Sequence, residues 1–205
     1  MPLRITHGAR RRGPLGQGTT AFGYPSGYRK GTPNVPLAPR ILCSDDIYRL
    51  AVWQNMTIAE FAGDVDALRM RRVGRAHREL AASYPDGTVS CTIVRQGVPV
   101  ASEEARDEAV QFMKELGDSL RRSALIIEDT GIMAQVLRTV VRGFNVITRN
   151  TKLVLCANLD EVVNALSPLV VPVQEGGNVR AELAAAVTAA RRGYEPRPAA
   201  QAAQR

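Results

Sequence analysis

Apolar and polar residues begin to alternate at Ile47, and the alternation predicts two short strands at residues 47–52 and 56–62. A tight turn at Gln54 and Asn55 is expected to join them. In the second strand, Ile58 and Glu60 fall on the same face because side chains of a strand alternate. The pattern therefore predicts that a β-hairpin opens the folded part of the chain.

The apolar spacing becomes helical after Gly63. Asp64 is a suitable N-cap for a helix that runs to about Ser83. One side of this helix would be apolar and would consist of Val65, Leu68, Val73, Ala76 and Leu80. Residues 84–87 give a strong turn signal, and residues 88–94 alternate as a strand.

A second helix is predicted after Ser102, which is a suitable N-cap. Glu103 and Glu104 follow it, and their charges favour the positive end of the helix dipole. The apolar stripe of this helix is expected at Ala109, Phe112, Met113, Leu116 and Leu120. The helix should therefore pack on the sheet by one face.

The remaining pattern continues the alternation of strands and helices. Residues 123–128 and 152–156 are short apolar runs typical of buried strands. A third helix between them begins at residues 129–131, and a last helix covers 159–166 with its cap near Asn158. The apolar face of the third helix would comprise Met133, Val136, Leu137, Val140, Val141 and Phe144. The order ββαβαβαβα predicts an α/β fold with one mixed, mostly parallel sheet and helices packed on it.

Charge divides the chain into three parts. Residues 1–44 contain seven Lys and Arg, and the first acidic residue is Asp45. This stretch has no apolar periodicity, which predicts a disordered basic leader. Residues 45–172, the expected domain, hold 15 basic and 17 acidic residues, so their net charge is −2. Residues 173–205 are predicted to form a weakly packed Ala-rich helix and a frayed tail.

Cysteine and histidine positions exclude some classes of site. The three cysteines are far apart, and Cys91 and Cys156 lie in apolar runs, which favours a reducing, cytoplasmic compartment without disulfides. His7 and His77 are seventy residues apart, so no metal site is predicted. No apolar run is long enough to cross a membrane, and no phosphate-binding glycine motif indicates a nucleotide cofactor.

Two kinds of charged residue remain as candidates. Glu128 and Asp129 end an apolar strand, where an open α/β sheet can hold a ligand, but Asp129 also suits a helix cap. His77, between Ala76 and Arg78, is interpreted as a surface or boundary residue. Basic groups could bind anions or a partner, or could simply be solvated: Arg71, Arg75 and Arg78 on the first helix, Arg138 and Arg142 on the third, and Arg10, Arg11, Arg12, Arg29 and Lys30 in the leader.

Residues 47–169 resemble the STAS superfamily, the domain of sulfate transporters and anti-sigma-factor antagonists. The resemblance lies in the order of elements and in three segments: residues 58–66, which resemble the family's strand and Gly-x-x-Asp turn; residues 124–143; and residues 160–163. In antagonists that act as switches, a phosphorylatable Ser starts the second helix within Asp-Ser-Ser-Gly. Here Ser102 matches the first Ser, Glu103 stands at the second, and the Asp and Gly are missing. The resemblance thus makes Ser102 a candidate phosphosite, but its role as a plain N-cap is favoured over a phospho-switch.

The resemblance and the lack of a catalytic set predict a non-enzymatic regulatory module that binds a protein partner and needs no cofactor. A homodimer is left open. A second hypothesis is a protein that binds nucleic acid or a membrane surface through residues 1–44. A third is an enzyme acting around Glu128 and Asp129.

Overall fold

The structure is a computed structural model that describes residues 38–131, 135–136, 138–139, 141–143, 145 and 152–194. The described strands form one six-stranded sheet. The strands lie side by side in sequence order. They are β1 (Arg40–Ser44), β2 (Tyr48–Trp53), β3 (Met56–Phe61), β4 (Thr88–Val94), β5 (Leu120–Ile127) and β6 (Leu153–Cys156). β1, β2 and β3 pair antiparallel, and β3 to β6 pair parallel. The predicted mixed α/β sheet, opened by a hairpin, is confirmed.

Four helices have defined bounds: α1 (Ala67–Ser83), α2 (Glu103–Leu116), α3 (Leu159–Leu166) and α4 (Val179–Arg191). The caps predicted at Ser102 and Asn158 are confirmed, whereas α1 is capped by Asp66 instead of Asp64. The described residues between 135 and 145 are also helical. Of the apolar face predicted there, Val136 and Val141 are described, and Met133, Leu137, Val140 and Phe144 lie outside the described residues.

The sheet is covered by helices on both faces. On one face, Ile58, Ile93 and Ile126 belong to an apolar core shared with Leu166 of α3 and Leu183 of α4. The opposite face packs against α1 and α2 through a second core that contains Tyr48, Leu50, Ala59, Phe61, Val73 and Ala76. Alternation of side chains along each strand produces this division, since successive residues point to opposite faces. The result is a three-layered α/β/α sandwich.

The sheet begins earlier than predicted. Residues 40–44, which were assigned to the leader, form β1, where Arg40 pairs with Val52 and Ser44 with Arg49. The alternation is interrupted because the register shifts between Ile41 and Cys43, as at a β-bulge. The short segment therefore lacks the clean period of two by which the other strands were found. The prediction of disorder concerns residues 1–37 as well, and these lie outside the described residues.

The Ala-rich helix α4 is part of the core, so the prediction of weak packing is wrong. Leu183, Ala186, Val187 and Ala190 are all buried. Small side chains let a helix approach a sheet closely, and the area that it buries then comes from many short contacts. The folded domain consequently extends from β1 to Tyr194 instead of ending at residue 172. Residues 195–205 of the predicted tail lie outside the described part.

The prediction that His77 lies at the surface or boundary is also wrong. The side chain is 1% exposed, its Nε2 lies 2.6 Å from Thr57 Oγ1, and its ring stacks on Phe112. Burial lowers the pKa of His77 to about 4. The residue follows Ala76 on the sheet-facing side of α1, while Arg75 and Arg78 face solvent. Flanking charges therefore gave a misleading signal about position 77.

No helix within the described ranges is both long enough and apolar enough to cross a membrane.

Candidate functional site at the carboxyl ends of the parallel strands

The carboxyl ends of β3, β4 and β5 lie at one edge of the sheet because these strands are parallel. We call this the strand-end edge. The loops after these strands meet there, and α1 and α2 begin there. Open α/β sheets generally bind ligands at this edge.

A network of four charged residues connects the strand-end edge to α4. Glu60, in β3, is only 2% exposed, and its Oε1 accepts hydrogen bonds from Arg95 Nε at 2.5 Å and Arg191 Nε at 3.1 Å. Arg191 Nη2 also lies 2.8 Å from Glu128 Oε1. The second oxygen of Glu60, Oε2, is buried and has no partner among the described residues. We call Glu60, Arg95, Glu128 and Arg191 the Glu60 network.

Tyr194, which follows α4, packs against Arg95 of this network. Tyr194 is buried, and the guanidinium carbons of Arg49 and Arg95 lie 4.5 and 5.7 Å from the centre of its ring. Arg49 Nη1 donates to the carbonyl oxygens of Ala190 and Arg192 at 3.0 and 3.2 Å. Burial, followed by nearby carboxylates, raises the pKa of Tyr194 to about 12, so its hydroxyl keeps its proton at neutral pH.

The Glu60 network was missed from sequence, although one signal was present. Glu60 shares a strand face with Ile58, and that face packs on α4. A carboxylate in such a position must be paired if it is to remain charged. Its partners Arg95 and Arg191 are 35 and 131 residues away along the chain, so no local pattern identifies them.

Asp129 organises the loops after β4 and β5. Its Oδ1 accepts from the backbone N–H of Gly131 at 2.8 Å, and its Oδ2 accepts from that of Gly97 at 3.4 Å. These backbone hydrogen bonds, that of Gly131 first, lower the pKa of Asp129. Arg138 Nη2 donates to the carbonyl oxygens of Ile127 and Asp129. Two of the predicted candidates thus hold backbone in place at this edge.

The arginines of α1 form ion pairs, two of which cross to α2. Arg71 lies 2.6 Å from Glu108, and Arg78 lies 2.8 Å from Glu115. The residue numbers of the partners differ by 37 in both pairs. The same difference separates Val65 from Ser102, and the backbone N–H of Ser102 donates to the carbonyl oxygen of Val65 at 3.3 Å. The constant offset shows that α1 and α2 run side by side in the same direction. Within α1, Arg75 pairs with Glu79 at 2.8 Å.

The bond between Val65 and Ser102 joins the residues that come just before the first turns of the two helices. Ser102 is exposed, and its Oγ accepts from the backbone N–H of Ala105 at 3.2 Å. Glu103 and Glu104 are exposed in the same turn, and hydrogen bonds to the backbone and to the Ser102 hydroxyl lower the pKa of Glu104. Leu68, three residues after Val65, is 52% exposed. We call these surface residues, together with exposed Asp64, the acidic patch: Asp64, Leu68, Ser102, Glu103 and Glu104.

The other predicted candidates are placed as follows. Arg142 is exposed. Arg10, Arg11, Arg12, Arg29 and Lys30 lie outside the described residues. Within the part of the chain that is described, no three His, Cys, Asp or Glu side chains are grouped so that they could hold a metal ion.

Comparisons with protein-family models, with curated proteins and with solved structures found no match to this chain. The STAS resemblance therefore stays a prediction.

Proposed function

We propose that the chain is a non-enzymatic regulatory module of the STAS type, which binds a basic surface of a protein partner through the acidic patch. One observation carries the proposal: the backbone hydrogen bond from Ser102 to Val65, three residues before exposed Leu68, holds the start of α1 beside the acidic first turn of α2. An apolar side chain bordered by carboxylates offers a partner both an area to bury and charges to pair.

The charges at this position favour a basic partner over an anionic ligand. Helix N-termini normally attract anions, because their N–H groups are unpaired and the helix dipole is positive there. Here Ser102 Oγ and Asp66 Oδ1 already accept from first-turn N–H groups of α2 and α1. Glu103 and Glu104 add two negative charges. Two of the nearby exposed cations already have partners: Arg106 donates to the carbonyl oxygen of Ala101 at 3.2 Å, and Arg71 lies 2.6 Å from Glu108.

The same charges define how the module would be regulated. The resemblance aligns Ser102 with a serine that switching antagonists phosphorylate, and a phosphate there would be repelled by Glu103 and Glu104. A permanent carboxylate pair thus supplies negative charge at this turn. The module would therefore bind its partner constitutively, without control by phosphorylation of Ser102.

The proposal is tested by affinity capture with crosslinking, using the full chain as bait. The patch variant carries Leu68→Ser, Glu103→Lys and Glu104→Lys. The matched control carries Val171→Ser and Glu175→Lys, which change an exposed apolar residue and an exposed acid in the loop before α4. Proteins captured by the wild type and the control, but lost by the folded patch variant and at high salt, would support the proposal. Identical captured sets for all three baits would contradict it.

A further inference from the structure

A cavity of about 210 Å³ lies between the sheet and the helix pair α1 and α2. A cavity of about 150 Å³ lined by apolar side chains is enough to bind benzene, whereas pockets for drug-sized ligands start at about 300 Å³. The volume therefore suits a molecule somewhat larger than one aromatic ring, such as two fused rings.

The two sides of the cavity differ in chemistry. The helices contribute apolar side chains, among them Met70, Val73, Phe112 and Met113. The sheet contributes the apolar residues Leu125 and Ile127 and the hydroxyl-bearing residues Ser90, Thr92 and Ser123. A ligand would therefore contact apolar groups over most of its surface and hydroxyls on one side.

The Ser90 and Ser123 hydroxyls leave one donor unused. Ser90 Oγ lies 2.7 Å from Ser123 Oγ, and both side chains are buried. Each hydroxyl has one proton, and their mutual hydrogen bond uses only one of the two. Among the described residues, neither hydroxyl has a second partner. A buried donor without an acceptor is unfavourable, so a ligand that supplies an acceptor gains affinity at this point.

Among the described residues that line the cavity, none places a charge in its interior that would balance an ionic ligand. His77 contributes to the wall, and its burial lowers its pKa to about 4, so the ring is neutral at pH 7. Arg106 belongs to the lining but is exposed to solvent. An ion moved into this interior would lose its hydration without gaining a partner.

We propose that the cavity binds a neutral, mostly apolar molecule of about two fused rings, with a single acceptor that takes the unused proton of the Ser90 and Ser123 pair. This inference is independent of the proposed function, because it concerns the interior beneath α1 and α2 and not the acidic patch.

The full chain is titrated with two probes of nearly equal shape, 2-naphthol and naphthalene, and binding is followed by calorimetry and ligand-observed NMR. Only 2-naphthol carries an oxygen that can accept the proton. We expect saturable binding of both, with naphthalene about three- to tenfold weaker, as the loss of one neutral hydrogen bond predicts. Absence of saturable binding, or equal affinities for the two probes, would overturn the proposal.

Two variants locate the binding. Ala109→Leu places a larger side chain in the lining and should weaken both probes at least tenfold, whereas Ala185→Leu on the exposed side of α4 should leave both unchanged. The double variant Ser90→Ala with Ser123→Ala should remove the preference for 2-naphthol while naphthalene still binds. Removing both partners of a hydrogen bond is nearly neutral for folding, so this variant is expected to stay folded. Wild-type binding by Ala109→Leu would place the probes elsewhere and refute the site.

Discussion

Replacing Glu60 by Gln should destabilise the domain by about 3 kcal/mol. Glu60 is buried, and one of its oxygens accepts from both Arg95 and Arg191. Arg95 and Arg191 stay charged, so Gln keeps an acceptor for their hydrogen bonds but loses the ion-pair attraction of the carboxylate to both guanidinium groups. If the amide nitrogen takes the position of Oε2, which has no partner among the described residues, it adds an unsatisfied buried donor. Arg95 and Arg191 are nearly a third exposed, and their solvation limits the loss to the lower end of the range for broken buried pairs.

The assay is urea and thermal unfolding followed by circular dichroism. For a chain of this size, about 3 kcal/mol corresponds to a decrease in Tm of roughly 6–12 °C. Glu128→Gln is the matched control, because Glu128 contacts the same Arg191 from a more exposed position and should cost under about 1 kcal/mol. A loss below about 1 kcal/mol for Glu60→Gln, or equal losses for the two variants, would refute the role assigned to the buried carboxylate.

Three further predictions concern α1 and α2. The pKa of His77 is about 4 in the folded state and 6.5 in the unfolded reference, so its contribution is full above pH 6.5 and is lost as the pH falls towards 4. His77→Gln should remove up to about 3 kcal/mol of this pH dependence, measured by urea unfolding at several pH values, and an unchanged pH profile would contradict the buried neutral ring. Ser102→Ala should lower the free energy of unfolding by about 1 kcal/mol in the same assay. Ser102→Asp should lower it much less, because Asp also caps helices. Equal losses for the two variants would argue against a capping role. Arg71→Glu should lower the free energy of unfolding by no more than about 1 kcal/mol. Adding Glu108→Arg reverses the ion pair and should restore the wild-type value. If the effects of the two substitutions are simply additive, the pair does not contribute to stability.

Local rules predicted the elements whose signals lie within a few residues. Ser102 and Asn158 were identified as caps because a capping side chain bonds the backbone only three residues away. Asp66 replaced Asp64 as the cap of α1 because two acidic residues in the same turn satisfy the same local rule. The tight turn between β2 and β3 was likewise located from its residues, and Gln54 adopts a positive φ there.

Features that depend on distant partners were missed. β1 has an irregular pattern, and it is a strand because β2 offers it an edge. α4 has few large apolar residues, and its burial depends on the sheet face beneath it. His77 lies among arginines in sequence but faces Thr57 of β3. In the candidate site, Ser102, Asp129 and Arg138 were identified from sequence. Arg95, Arg191 and Tyr194 were not identified. Their roles depend on the carboxyl ends of β3, β4 and α4 lying together in the fold, which no local pattern shows.

The direction of β1 sets where the basic residues that precede it join the sheet, relative to the acidic patch. Arg40 pairs with Val52 beside the hairpin turn, and Ser44 pairs with Arg49 near the strand-end edge, so β1 spans about 13 Å between opposite poles of the sheet. The cationic leader is thus attached at the pole opposite the acidic patch. A molecule that covered the patch would therefore leave this attachment point uncovered.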